Sequence, residues 1–335
     1  MSEQHDHQGH RNEHGPKHGH NHSRDHHHDH HDSHAHGLGH SHVPENFNRA
    51  FAIGVGLNTA LVVAQVVFGL IAHSLALVAD AGHNFADVLG LLLAWWATRL
   101  AKSPPTKERT YGLGSASILA ALANAVFLLV TMGAVAWEAV LRLSQPHPVQ
   151  GGIVIWIAGL GILINGLSAA LFYSGRKGDL NVRGAFLHLA ADAGISLGVV
   201  AAGAAILLTG QLWIDPVASL VITAIIVYST WSLFRDSMDL ALQAVPRGID
   251  IGEVKRWLEK CPGIGGVHDL HIWAMSTTET ALTAHLLKPD GKLDDEMLRH
   301  ISNEMQHRFS IHHITLQCET GHSKTPCPQA PDDVV

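Results

Sequence analysis

Charged residues are scarce in this chain, and cysteine is nearly absent. Asp, Glu, Lys and Arg make up only 15% of its 335 residues, whereas 47% are hydrophobic. Soluble globular proteins carry about 25% charged residues. The three cysteines form no CxxC pair and are odd in number, so no disulfide framework is expected. The net charge of −7 argues against a nucleic-acid partner. The composition therefore indicates a protein that lies in a membrane.

The hydrophobic residues are concentrated in one part of the chain. Residues 49–235 are strongly apolar, residues 236–320 have the composition of a small soluble domain, and residues 321–335 are rich in proline and predicted to be disordered. Residues 1–48 are polar and cannot bury enough apolar area to fold alone, so we predict a disordered tail. This tail lacks the basic and then apolar pattern of a signal peptide, so we expect it to stay in the cytoplasm.

Histidine is the most abundant residue of the N-terminal tail. Sixteen of the 28 histidines lie in residues 1–42, separated by Asp, Gly, Ser and Asn. An expression tag would instead be one contiguous run. Mixed imidazole and carboxylate groups are typical of a weak collector of metal ions with many sites.

Six apolar segments are long enough to cross a bilayer, which requires about 20 residues per helix. They lie near residues 50–72, 77–100, 113–143, 151–173, 183–209 and 212–234. Basic residues cluster in the connections after the second and fourth segments: Arg99, Lys102, Lys107 and Arg109, then Arg176, Lys177 and Arg183. Because basic connections stay in the cytoplasm, both termini are predicted to be cytoplasmic.

After Pro246 the long apolar segments give way to short segments with the patterns of helices and strands. Asp250 and Glu253 have the spacing of a capping box that opens a helix to about Lys260. Strand-like runs near 266–275 and 280–288, an amphipathic helix over about 293–308 and a last strand over about 311–319 follow. The order αββαβ predicts a compact α+β domain with an antiparallel or mixed sheet.

Two copies of one polar pattern interrupt the membrane segments. His83 and Asp87 are four residues apart, as are His188 and Asp192, so each pair lies on one face of a helix. Ionisable groups in a membrane span are costly and usually functional. Two imidazoles and two carboxylates are ligands suited to Zn²⁺. The pattern therefore predicts an intramembrane metal site, the alternative being two unrelated polar pairs within a helical bundle.

Other polar residues of the membrane segments have simpler interpretations. Asp80 and Asn84 share the helix face of Asp87 and could support or admit the metal, although Asp80 could equally be a carboxylate near the outer end of its span. Asp215 and Pro216 predict the N-cap and first turn of the sixth span. Hydrogen bonds between helices, rather than metal binding, are expected from four amide side chains: Asn58, Gln65, Asn124 and Asn165.

Four motifs in this order resemble one known family over about residues 49–320. They are the run from Leu77 to Asp87, Arg109-Thr-Tyr-Gly112, the pair His188 and Asp192, and the run from Val267 to Trp273. The chain resembles the zinc-transporting branch of the cation diffusion facilitator family. The resemblance implies a homodimer, in which each six-helix protomer carries a cytoplasmic ferredoxin-like domain and exports Zn²⁺ in exchange for protons. Zinc would then be the transported substrate, with no cofactor.

The resemblance also implies specific site residues. The family's transport ligands fall on His83, Asp87, His188 and Asp192. A set of three further residues matches positions where relatives bind regulatory zinc, although histidines on strands are often simply solvated: His268, His285 and Glu319. Many relatives have Arg-Ala-Glu where this chain has the segment 115–117, Ser-Ala-Ser, so a salt bridge formed by those charges is not expected here.

Several alternatives remain open from the sequence. Cd²⁺, Co²⁺ and Ni²⁺ are compatible with the same ligand types. A zinc metalloenzyme would need an open coordination position and a general base, and no HExxH motif is present. A sensor merely anchored in the membrane would not need ligands in mid-membrane. The absence of a targeting segment is consistent with a bacterial inner membrane, as the resemblance implies.

Overall fold

The computed structural model describes residues 49–173, 180–292, 294–322 and 327–330. The predicted His-rich tail over residues 1–48 lies outside the described residues, as do Arg176 and Lys177 of the fourth connection. The predicted C-terminal tail is described only at residues 321–322 and 327–330.

Within the described part of the chain, six helices are long and apolar enough to cross a membrane, which confirms the predicted architecture. They are α1 (Arg49–Ala72), α2 (Leu75–Ala101), α3 (Ala116–Ser144), α4 (Gly151–Phe172), α5 (Leu180–Thr209) and α6 (Ile214–Ala241). With 29 and 30 residues, α3 and α5 are each about 45 Å long, longer than the bilayer core of about 30 Å. Helix α6 continues past residue 235, where the sequence predicted the membrane region to end.

Helix α2 is the most enclosed of the six. In its membrane window 56% of the residues are buried, against at most 33% in the other helices. It packs against α1, α3, α5 and α6. Large apolar side chains on α4 and α5, such as Trp156, Leu171 and Leu208, are more than four-fifths exposed and suit contact with lipid. Polar groups on α2 are therefore sheltered from lipid by neighbouring helices.

The start of α2 is capped from two directions. Ser74 is the N-cap residue, and its side chain accepts a hydrogen bond from the backbone N–H of Leu77. Asp215 accepts a 2.5 Å hydrogen bond from Ser74 Oγ and a 2.7 Å bond from the N–H of Leu75. The prediction that Asp215 caps the sixth span is wrong, because α6 has Trp213 at its N-cap position. Instead, Asp215 lies in the first turn of α6 and binds the free N–H groups of α2.

The C-terminal part of the chain has the predicted αββαβ order. It consists of α7 (Ile251–Glu259), β1 (Gly266–Ala274), β2 (Thr280–Leu287), α8 (Asp295–Phe309) and β3 (His313–Glu319). Strand β2 is central, pairing antiparallel with β1 and parallel with β3, so the sheet is mixed. Asp250 caps α7 as predicted, accepting hydrogen bonds from the N–H groups of Gly252 and Glu253. The two helices and one face of the sheet enclose an apolar core.

The turn between β1 and β2 contacts the segment that leads into α3. Ser115 Oγ donates to the carbonyl of Met275 over 3.3 Å, and Ser117 Oγ accepts a 3.0 Å hydrogen bond from the N–H of Thr277. Both serines lie in the segment 115–117, Ser-Ala-Ser, where no salt bridge is expected. Neutral hydrogen bonds therefore join the soluble domain to the membrane helices at this point.

Candidate metal sites

The two polar pairs of the membrane helices face each other. Helix geometry places His83 and Asp87 on one face of α2, and His188 and Asp192 on one face of α5. The two helices run in opposite directions, so His83 lies level with Asp192, and Asp87 lies level with His188. Their side chains converge between the helices, and we refer to these four residues as the membrane site.

Distances within the membrane site fit a tetrahedral ion. His83 Nε2 lies 3.0 Å from Asp192 Oδ1 and 3.6 Å from Asp87 Oδ2. His188 Nε2 lies 3.6 Å from a carboxylate oxygen of each aspartate. Ligands placed about 2.0–2.1 Å from Zn²⁺ at tetrahedral angles are about 3.4 Å apart. The His–Asp distances are therefore close to those between ligands of one zinc ion. His83, Asp87 and Asp192 already have ligand atoms within 4.8 Å of one another, and His188 would have to move closer to complete the set.

The two levels of the membrane site differ in exposure. The side chains of His83 and Asp192 are 11% and 5% exposed, whereas those of Asp87 and His188 are 21% and 48% exposed. The second pair lies nearer the ends of α2 and α5 that meet the basic connections. The site is therefore more open on that side than on the other.

A layer of buried polar side chains closes the site at the opposite end. Asp80 Oδ2 accepts a 2.7 Å hydrogen bond from Gln65 Nε2 and a 3.0 Å bond from Ser196 Oγ. Asn84 Nδ2 donates to Gln65 Oε1 over 2.9 Å. All four residues are at most 1% exposed, and they join α1, α2 and α5. Asp80 and Asn84 therefore belong to a hydrogen-bonded layer next to the site, and Gln65 bonds between helices as predicted.

A second cluster lies on the sheet of the soluble domain. His268 on β1 and His285 on β2 are direct cross-strand partners, and their ring centroids are 5.2 Å apart. Glu319, at the end of β3, lies 3.0 Å from His285 Nδ1 and 3.5 Å from His268 Nε2. The structure thus brings together the three residues that the resemblance selected. We call this group the cytoplasmic cluster.

Asp269 orients one of these histidines. A β-bulge between His268 and His271 interrupts the register of β1, and Asp269 has a positive φ of 49°. Bulges re-aim side chains, and here Asp269 Oδ2 lies 3.4 Å from His285 Nε2. The other ring nitrogen, Nδ1, then faces Glu319. A carboxylate behind a histidine is the usual way in which a ligating imidazole is held in its tautomer.

Cys327 completes the cluster from the C-terminal segment. Its Sγ lies 3.6 Å from His285 Nδ1. Ligand atoms of His268, His285, Glu319 and Cys327 all lie within 4.8 Å of one another. Buried His268 Nε2 has no hydrogen-bond partner among the described residues, although it faces Glu319. The donors and this unpartnered nitrogen fit a bound metal ion.

The pKa values of Glu319 and Cys327 are shifted in opposite directions. Burial acts to raise the pKa of Glu319, but hydrogen bonds from Cys327 and Gln317 and the nearby histidines outweigh it, so the pKa lies below its ordinary value. For Cys327, the N–H of Gln329 acts to lower the pKa, but burial and the charge of Glu319 outweigh it, so the pKa of the thiol is raised. A bound cation would reverse the second effect, since coordinating thiols lose their proton.

Sequence reasoning missed Asp269 and Cys327. Asp269 reaches His285 only because of the bulge, and an isolated aspartate in a strand gives no sign of one. Cys327 has no CxxC partner, and its position beside β2 depends on the course of the chain after β3. The one available signal was that a cysteine followed the domain within a short distance.

Two family models match consecutive parts of the chain. The family model described as "Cation efflux transmembrane domain" matches residues 51–240, which hold the membrane site. The model described as "Cation efflux protein, cytoplasmic domain" matches residues 246–321, which hold His268, His285 and Glu319 of the cytoplasmic cluster.

The chain belongs to the cation efflux family.

Individual cation efflux proteins match nearly end to end. The metal cation efflux system protein CzcD of Cupriavidus metallidurans is 35% identical over 88% of this chain and 92% of its own length. The zinc transporter ZitB of Escherichia coli is 35% identical over 85% and 92%. The cadmium, cobalt and zinc/H(+)-K(+) antiporter of Bacillus subtilis is 32% identical over 84% and 92%. The resemblance drawn from the motifs is therefore confirmed.

Proposed function

We propose that this protein exports Zn²⁺ from the cytoplasm in exchange for protons, with the membrane site as the transport site. The observation that carries the proposal is the convergence of four ligating side chains, two from each of two antiparallel helices, in which each imidazole nitrogen lies 3.0–3.6 Å from a carboxylate oxygen of both aspartates. Two imidazoles select Zn²⁺ over Mg²⁺ and Mn²⁺. Two carboxylates neutralise its charge inside the bilayer.

The exposure gradient supports an inward-open state. Asp87 and His188, the more exposed pair, would meet Zn²⁺ first as it enters from the cytoplasm. Only deprotonated imidazole and carboxylate bind the ion, so loading releases protons. The metal then reaches His83 and Asp192, and all four ligands close around it.

Release to the other side requires the buried polar layer to open. The hydrogen bonds of Asp80 with Gln65 and Ser196 hold α1, α2 and α5 together on that side. In an alternating-access cycle these helices would separate at the buried polar layer while they close on the cytoplasmic side of the site. Protons entering from outside would compete with the metal for His83 and His188, because only deprotonated imidazole binds the ion.

The names of the relatives support this substrate and coupling. ZitB is named a zinc transporter, and the Bacillus subtilis relative is named an antiporter of cadmium, cobalt and zinc with H⁺ and K⁺. We therefore extend the proposal to Cd²⁺ and Co²⁺ as further substrates. We further propose that the protein is a homodimer in a bacterial inner membrane with both termini in the cytoplasm, and that the cytoplasmic cluster binds regulatory zinc.

Zinc flux into proteoliposomes under an imposed pH gradient tests the transport proposal. Asp192→Asn keeps the size of the side chain but removes a charged ligand, and it should abolish gradient-driven flux. Glu138→Gln is the matched control, because Glu138 pairs with Arg142 in the outer turn of α3, away from the site. It should transport as the wild type does.

Two results would overturn the proposal. Undiminished flux in Asp192→Asn would move the transport site elsewhere. An absence of flux in the wild type, with zinc still bound, would favour a sensor. Adding Cd²⁺, Co²⁺ or Ni²⁺ as competitors would then rank the substrates.

A further inference from the structure

We propose that Cys327 is the fourth ligand of the cytoplasmic cluster, so that a bound Zn²⁺ or Cd²⁺ ties the C-terminal segment to the sheet. This inference rests on the proposed regulatory role of that cluster. It adds a ligand from outside the three strands and gives the site a chemistry different from that of the membrane site.

The geometry leaves one coordination position for sulfur. His268, His285 and Glu319 approach from three adjacent strands, which supply three ligands of a tetrahedral ion. The fourth direction faces Cys327, whose Sγ lies 3.6 Å from His285 Nδ1 and shares a hydrogen bond with Glu319. Four protein ligands make a closed site, which is typical of metal ions with a structural role rather than a catalytic one.

Charge balance also favours the thiolate. Neutral His268 and His285 with one carboxylate would leave a single positive charge on a bound Zn²⁺. The thiolate of Cys327 brings the set to neutrality, and its proton passes to water as the sulfur–metal bond forms. The resulting N₂OS ligand set is softer than the N₂O₂ set of the membrane site, so it favours Zn²⁺ and Cd²⁺ over harder ions.

Metal binding would therefore hold the chain at Glu319 and again at Cys327. Glu319 ends β3, and Cys327 lies eight positions later in the sequence. An ion shared by both residues links the C-terminal segment to β1 and β2. The position of that segment would then report whether the cytoplasmic cluster is loaded.

Cobalt spectroscopy on the full-length protein in detergent distinguishes a thiolate ligand directly. A cobalt–thiolate bond gives a charge-transfer band in the near ultraviolet, whereas nitrogen and oxygen ligands do not. The membrane site contains no sulfur, so this band reports only the cytoplasmic cluster. We expect the band in the wild type and its loss in Cys327→Ala. Cys318→Ala is the matched control, because Cys318 packs against the domain core, and it should retain the band.

Two further measurements make the test independent of folding. Zn²⁺ should slow the alkylation of Cys327, read by mass spectrometry, and His285→Ala should remove that protection. Cys327→Ala should also weaken zinc binding at the cluster at least about tenfold, since even residues that only orient a ligand contribute about 10–100-fold.

The possible failures are distinguishable. If cobalt binding depends on His285 but gives no thiolate band, Cys327 is not a ligand and the inference is wrong, while the cluster stands. If His285→Ala changes neither cobalt binding nor alkylation, the cluster itself does not bind metal, and the inference fails with it. The Asp192→Asn variant should keep the thiolate band although it loses flux, which separates this test from that of the transport site.

Discussion

Ser196 of α5 donates a 3.0 Å hydrogen bond to Asp80 of α2, and both residues are fully buried. This bond joins the two helices that carry the membrane site, about one turn beyond His83 and Asp192. Helix α4 passes close behind it: a Cβ atom added at Gly161 would lie only 2.9 Å from Ser196 Oγ and 3.4 Å from Gln65 Nε2. The absence of a side chain at Gly161 therefore allows the polar layer to form.

Gly161→Ala should disturb this layer and reduce zinc flux. The added methyl group must displace Ser196 or Gln65, and overpacking of this kind costs about 1–3 kcal/mol. Thermal unfolding in detergent and proteoliposome flux are the measurements. Gly159→Ala is the matched control on the same helix, since a Cβ there has nothing within 4 Å. Equal behaviour of the two variants would mean that the layer tolerates displacement.

Asp215→Asn should lower the stability of the membrane domain. The amide would leave part of the N-terminus of α2 without an acceptor, and hydrogen bonds to charged groups contribute about 1.5–3 kcal/mol each. The unfolding temperature of the purified protein should therefore fall. Asp239→Asn is a suitable control, because its pairing with Arg235 is exposed and 4.0 Å long, and such pairs contribute at most about 1 kcal/mol. An unchanged unfolding temperature in Asp215→Asn would contradict the capping role.

Asp269→Asn should weaken metal binding at the cytoplasmic cluster without removing a ligand. Asp269 faces His285 Nε2 and holds its ring with Nδ1 toward Glu319. Loss of such an orienting carboxylate typically reduces metal affinity about 10–100-fold. Zinc titration of the full-length protein would measure the change, with Glu296→Gln on α8 as a control. Full affinity in the Asn variant would show that the bulge, rather than the charge, positions His285.

Gly114→Ala should loosen the contact between the start of α3 and the β1–β2 turn. A Cβ at Gly114 would lie 3.0 Å from the carbonyl oxygen of Met275, and a backbone atom cannot move aside cheaply. The hydrogen bond of Thr277 N–H to Ser117 should then open more often. Faster amide exchange at Thr277 is the expected result, whereas Gly133→Ala, with nothing within 4 Å, should leave it unchanged.

The elements of this fold could be predicted because their signals are local. Six apolar runs determine six helices, and a His and an Asp four residues apart share a helix face whatever surrounds them. The cap at Asp250 could be predicted for the same reason, because donor and acceptor lie within three residues of each other. Each of these relationships is fixed by the geometry of one helix.

Contacts between distant segments could not be predicted in the same way. Asp215 and Ser74 are 141 residues apart, and only the packing of α6 beside the start of α2 reveals which helix the carboxylate caps. The orientation of Asp269 depends on a bulge, and that of Cys327 on the path of the chain after β3. In each case the chemistry was visible in the sequence, but its partner was not.

The ligand composition of the membrane site has an electrical consequence. Each level of the membrane site holds one imidazole and one carboxylate, so the whole site carries two negative charges when it is deprotonated. One Zn²⁺ cancels them, and so do two protons. If the proposed transport cycle holds, helices that move with either cargo would carry no net charge through the bilayer, whereas an empty site would carry two negative charges. Exchange of one zinc ion for two protons would thus be indifferent to membrane voltage, and the unloaded return step would meet the largest barrier.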